Sequence, residues 1–128
     1  MNNKKYPCPC CGYLVFDQAP GSFDICPICY WEDEAMQLRY PNEIGANRLT
    51  LIESQTNFES LGYGDLRNKN LVRKPSKEDI QDKNWRKLDL KIDIIEEKVL
   101  DELGAVIYPI DTTELYYWAE NFWLKRKA

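Results

Sequence analysis

Two short stretches hold all five cysteines of the chain: Cys8-Pro9-Cys10-Cys11-Gly12-Tyr13 and Cys26-Pro27-Ile28-Cys29. Each contains the words Cys-Pro-x-Cys, the form of a zinc knuckle, and 14 residues separate Cys11 from Cys26. Two Cys-x-x-Cys pairs at that separation point to one metal site made of Cys8, Cys11, Cys26 and Cys29. Two sulfurs three positions apart on a tight turn reach adjacent corners of a tetrahedron, and a second turn alongside supplies the other two. The expected cofactor is Zn2+, with iron as the alternative, because four thiolates serve both metals. Gly12 after the first pair can take a positive φ without a Cβ penalty. Tyr30 stands at the same place after the second pair, which predicts a less regular second knuckle. Cys10 is left as a fifth thiol, either a bystander or a redox-active group. An odd count argues against a disulfide framework, and four cysteines leave a metal no open position for water or substrate.

The chain that must position these residues has 128 of them, which suits one domain or one domain with an appended helical part. It contains no histidine. That removes Cys-His zinc sites, Ser-His-Asp triads and imidazole bases together. No apolar run approaches the roughly 20 residues that span a bilayer, so no membrane association is expected. No signal-peptide core is seen near Met1, so the cytoplasm is the expected compartment.

Residues 1–66 carry nine acidic and four basic side chains, whereas residues 67–128 carry twelve and thirteen. A divalent ion on four thiolates makes the first half more negative still. Such a surface is a poor match for a phosphate backbone and a better one for a basic protein, so nucleic acid is the less favoured partner.

The expected fold is α+β. Tyr13-Leu14-Val15-Phe16 reads as a strand, Pro20-Gly21 as a turn and Phe23-Asp24-Ile25 as the return. This is a small zinc-ribbon or rubredoxin-like β-hairpin whose ends carry the two knuckles. Glu32, Asp33 and Glu34 follow and are candidates for a partner-binding acidic edge beside a packed Trp31. A loop at 41–47 leads to a short helix over about 50–60, marked by the capping-box pair Thr50 and Glu53 and by Gly62 at its end. Asn47, Gln55 and Asn57 near that helix suit caps and loop hydrogen bonds better than ligand binding.

Three parts follow from this pattern: a cysteine-rich domain at 1–66, a basic linker at 67–77 and a helical region at 78–128. Ser76 is placed as an N-cap. Trp85, Leu88, Ile92, Ile95, Val99 and Leu103 recur at spacings of 3, 4, 3, 4 and 4, which predicts an amphipathic helix up to Gly104. A last helix around Asp111–Trp123 carries aromatic residues on two faces. Tyr116 and Trp123 on it are further candidates for partner contact.

The words Cys8-Pro9-Cys10-Cys11-Gly12-Tyr13 and Asp24-Ile25-Cys26-Pro27-Ile28-Cys29-Tyr30-Trp31-Glu32-Asp33, followed by Gly45-Ala46-Asn47, Leu51, Gln55, Asn57-Phe58 and Gly62, resemble the bacterial cysteine-rich CPCC family. The resemblance runs over about residues 6–66. It implies a small bacterial zinc-binding domain with no established activity to carry over, and standalone members look like immunity-type proteins of toxin loci. The functional expectation is a non-enzymatic, zinc-stabilised module that binds a basic protein, as an immunity or antitoxin-type inhibitor would. A nucleic-acid-associated zinc ribbon or a thiol redox protein using Cys10 is the alternative.

Overall fold

A computed structural model describes residues 4–93 and 100–105. Its ordered elements are two short strands, β1 (Tyr6–Pro7) and β2 (Leu14–Phe16), two α-helices, α1 (Ala35–Arg39) and α2 (Leu51–Leu61), and a 3-10 helix over Leu66–Leu71. β1 and β2 run antiparallel, with Tyr6 opposite Phe16 and Pro7 opposite Leu14. The extra residue on β2, Val15, makes an irregularity in the ladder.

The α+β class holds, but the strands pair differently from the expectation. Residues 13–16 do not pair with 23–25. Each knuckle is instead the tip of its own hairpin, the first enclosed by β1 and β2, the second by an isolated bridge between Ile25 and Glu32. A four-residue cysteine turn reverses the chain by itself, so each arm finds its nearest partner across that turn. The local closure costs less loop entropy than pairing across 17–22.

α2 forms where its sequence marks it. The Thr50 side chain accepts from the Glu53 amide, the Glu53 carboxylate accepts from the Thr50 amide, and Gly62 ends the helix at φ +89°. Replacing Thr50 with Ala is therefore expected to cost about 1 kcal/mol, measurable by urea unfolding of the metal-loaded protein. The amphipathic side of α2 buries Leu51, Ser54 and Gln55. α1 is held by tertiary contacts, because its N-cap Glu34 makes no side-chain cap. Its fully buried Gln37 donates to the Glu43 and Leu49 carbonyls and accepts from the Asn47 amide and side chain, which fixes the 43–49 loop.

The core is built around sulfur. Cys8, Cys10, Cys11, Cys26 and Cys29 pack with Phe16, Ile28, Trp31, Ala35, Leu38, Leu51 and Leu88 in one buried cluster.

The helix expected from residue 78 onward is absent among residues 78–93 and 100–105, which form turns and extended chain. The cap forms without the helix. The Ser76 hydroxyl accepts from the Glu78 amide and Asp79 accepts from the Ser76 amide, as in a helix start. The aspartates then turn the chain: Asp82 accepts from the Asn84 amide, Asp89 from Lys91 and Asp93 from Asp89. Such local bonds offer the backbone an alternative to helical pairing. The stripe is not buried as a stripe, since Leu88 is in the core while Ile92 and Leu103 are exposed. Ile95, Val99 and the expected last helix with Tyr116 and Trp123 lie outside the described residues.

Candidate metal centre

The two knuckles share one backbone geometry. In the first, Cys8 N–H donates to the Tyr13 carbonyl at 2.9 Å and Gly12 N–H to the Cys8 carbonyl at 2.7 Å. In the second, Cys26 N–H donates to Trp31 at 2.9 Å and Tyr30 N–H to Cys26 at 2.8 Å. Gly12 takes φ +79° and Tyr30 takes φ +69°. The second knuckle is thus as regular as the first. Tyr30 adopts the left-handed conformation at a cost of roughly 1–2 kcal/mol, which the surrounding hydrogen bonds offset.

This pairing of turns brings the four predicted ligands together. Cys8 and Cys29 sulfurs lie 3.5 Å apart and Cys11 and Cys26 sulfurs 3.7 Å apart. All four sulfurs fall within 4.8 Å of one another. A tetrahedron with metal–sulfur bonds of about 2.3 Å has edges of about 3.8 Å, so the donor set fits a thiophilic tetrahedral ion. The amides of Ile28 and Cys29 point at the Cys26 sulfur from 3.4 and 3.5 Å, a charge-assisting environment for a thiolate. Burial pushes the Cys8, Cys11 and Cys29 thiols up, while hydrogen bonds from Cys11, Cys29 and Cys8 hold Cys26 well below the ordinary thiol range. A cation bound here would supply the charge that lets all four ionise and would crosslink the two hairpins.

Each knuckle is closed from outside by chain that follows α2, the first also by Gln55 of α2 itself. Around the first, Gln55 Nε2 and Trp85 Nε1 both donate to the Pro9 carbonyl at 2.9 Å, and Gln81 Nε2 donates to the Cys11 carbonyl at 2.8 Å. The backbone continues the clamp, with Asp82 N–H on the Gly12 carbonyl and Leu14 N–H on the Ile80 carbonyl. The Trp85 indole lies where a Cβ on Gly12 would be, 2.5 Å from two ring carbons. Gln55 also accepts from the Leu88 amide, joining α2, the knuckle and this strap. Around the second knuckle, Arg73 N–H donates to the Pro27 carbonyl at 3.1 Å and Gly64 N–H to the Cys29 carbonyl at 3.0 Å. Arg73 in turn forms a two-point ion pair with Asp79.

Cys10 is not one of the four clustered sulfurs, although its thiol lies within hydrogen-bond reach of Cys29. It is fully buried against α2, and its sulfur lies 3.4 Å from where a Cβ on Gly64 would sit. Thiol exchange needs an accessible sulfur, so this packing favours the bystander role. Asn47, Gln55 and Asn57 also act structurally: Asn47 bridges Glu32 and Gln37, and Asn57 donates to the Gly64 carbonyl.

Of the acidic candidates, only Glu32 keeps a partly exposed side chain. Asp33 and Glu34 are buried, Asp33 accepting from the Ser22 hydroxyl and amide and Glu34 from the Ala46 amide. They do not form an exposed acidic edge, because backbone donors on two facing loops draw them inward. Burial raises the Asp33 pKa above the ordinary carboxylate value. Its protonated form is therefore favoured in the fold, a contribution present below the unfolded pKa and lost as pH rises through the folded one. Asp33→Asn is accordingly expected to gain stability relative to the parent between about pH 4 and pH 8, by about 1 kcal/mol at most, read from urea midpoints across that range.

Sequence reasoning missed the strap. Trp85 and Leu88 fit a helical spacing and Gln81 lies outside that apolar stripe, so no local pattern marks the strap. No helix of the described residues is long and apolar enough to cross a membrane. A search of curated proteins finds no match. A family model described as cysteine-rich CPCC matches residues 6–79, past the boundary at 66 and more than half of the chain. With the CPCC words now seen as one buried four-sulfur cluster inside that span, this chain belongs to the cysteine-rich CPCC family.

Proposed function

We propose that the site holds Zn2+ as a structural staple and that the chain is a non-enzymatic module for binding a basic protein, in the manner of an immunity-type inhibitor. The observation that carries the first part is the complete burial of a closed four-cysteine set, with none of Cys8, Cys11, Cys26 and Cys29 more than 1% exposed. A site with four protein ligands leaves no position for substrate. Its contribution is folding free energy.

The partner reading rests on charge. The exposed acidic side chains Asp17, Asp24, Glu53 and Glu59 lie on the half whose balance is negative, and four thiolates with one divalent ion add to it. Complementary charge steers a basic partner and sets specificity. Elemental analysis of the purified chain should find one zinc per molecule; iron in its place would sink the metal assignment. Affinity capture from the native host should retain one basic protein stoichiometrically, and its release should steepen with salt. Elution of the chain alone would remove the partner reading.

A further inference from the structure

The two knuckles are alike in backbone but are not covered alike. The first is overlaid by the Ile80–Leu88 strap, with the Trp85 indole on Gly12 and side-chain donors on both the Pro9 and Cys11 carbonyls. The second has, among the described residues, the Arg73 and Gly64 backbone amides on the Pro27 and Cys29 carbonyls. It also borders a cleft of about 180 Å3, lined among others by Cys29, Tyr30, Glu32, Arg48, Asp65 and Arg67. Of the four clustered cysteines only Cys29 lines this cleft, at 1% exposure against 0% for Cys8, Cys11 and Cys26.

The side chains at the cleft bear both signs. Arg48 and Arg67 share Asp65 at 3.7 and 3.6 Å, too long for good hydrogen bonds, so their N–H groups can turn to an anion at little cost. Glu32 lines the same space and brings an acidic residue to it.

We propose that the cleft beside Cys29 is the exchange port of the metal centre, where an anionic chelating carrier docks on Arg48 and Arg67 and Cys29 is the first ligand released, while the strapped first knuckle holds on to the end. The proposal rests on the reading that Cys8, Cys11, Cys26 and Cys29 bind a metal ion. In the exchange, the metal–sulfur bond to Cys29 breaks, a donor lone pair of the carrier takes its place, and the freed thiolate takes up a proton from water. No electron is transferred. The volume suits a small carrier such as a polycarboxylate or a thiol-bearing acid, and is below the range of about 300–1,000 Å3 usual for larger ligands.

The test uses the full, metal-loaded chain, its metal content measured first. A preparation that binds no metal under any loading condition defeats the metal reading itself, before exchange is considered. With metal bound, a limiting amount of EDTA is added with a pulse of N-ethylmaleimide, and the labelled cysteines are located by mass spectrometry. Cys29 and Cys26 are expected to label at least fivefold faster than Cys8 and Cys11. Trp85→Ala, which unstraps the first knuckle, is expected to erase that difference. The double variant Arg48→Gln, Arg67→Gln is expected to slow transfer to EDTA at least threefold and to leave transfer to a neutral tetrapyridyl chelator unchanged. Equal labelling of all four ligands in the parent chain, or earlier labelling of Cys8 and Cys11, overturns the proposal. Unchanged transfer to EDTA in the double variant overturns it as well.

Discussion

Replacing Cys11 with Ser is expected to leave the chain unfolded at 25 °C whatever metal is supplied. The four sulfurs belong to the core cluster of the described residues, and a structural four-thiolate ion contributes apparent folding free energy of about 10–16 kcal/mol near neutral pH. That is as large as the whole stability of an ordinary domain, about 5–15 kcal/mol. The strands are two and three residues long and α1 is five, so little secondary structure would survive to hold the shape. Loss of one sulfur would leave three buried thiols unable to hold the ion as a closed tetrahedron. Circular dichroism with metal stoichiometry reads the result, and the same loss is expected for the parent chain stripped by a chelator. Cys10→Ser is the control. It should retain one metal per chain and fold, losing about 1–3 kcal/mol for a buried hydroxyl. A folded, metal-free Cys11→Ser chain would show that the cluster is not the staple described here.

Gly12→Ala is expected to destabilise the metal-loaded protein by about 2–4 kcal/mol, far beyond the effect of an ordinary surface change. Two causes add. An alanine at φ +79° costs roughly 1–2 kcal/mol on its own. The new Cβ would also lie 2.5 Å from two carbons of the Trp85 ring. The indole must then move off, breaking its bond to the Pro9 carbonyl and part of the strap's packing. The causes separate in a double-mutant cycle. Against a Trp85→Ala background, Gly12→Ala should cost only the backbone part, about 1–2 kcal/mol. An unchanged cost in that background would mean that Trp85 does not press on the knuckle. Tyr30, at the matching place in the second knuckle, shows that the backbone cost alone is tolerated.

Some of this molecule is legible residue by residue. The Cys-x-x-Cys words pick out the four sulfurs that cluster, because their spacing alone fixes which sulfurs share a turn. Thr50, Glu53 and Gly62 name both ends of α2 because capping is local chemistry between neighbours. Glu32, Asp33 and Glu34 suggest a surface cluster because charge predicts solvent, and the loops that supply Ser22 and Ala46 amides are distant in sequence. α1 escaped notice because its five residues carry no cap and depend on Gln37 binding to a loop further on.

The 76–93 segment marks the division most clearly. Its periodicity of 3 and 4 and its Ser76 cap satisfy every local rule for a helix, yet local aspartate turns and distant partners prevail. Trp85 reaches Pro9, Gln81 reaches Cys11 and Leu88 reaches Gln55, contacts over 33 to 76 positions of chain. What the sequence alone determined is which four cysteines cluster, the tight turns at Gly12 and Gly62, and the capped helix, all products of neighbours a few residues apart. What only the tertiary structure decided is the hairpin pairing, the inward turn of the carboxylates, the place of Cys10 and the unequal covering of two equal knuckles. Those depend on which distant donors fill the carbonyls of a cysteine turn, and short-range patterns carry no record of that choice.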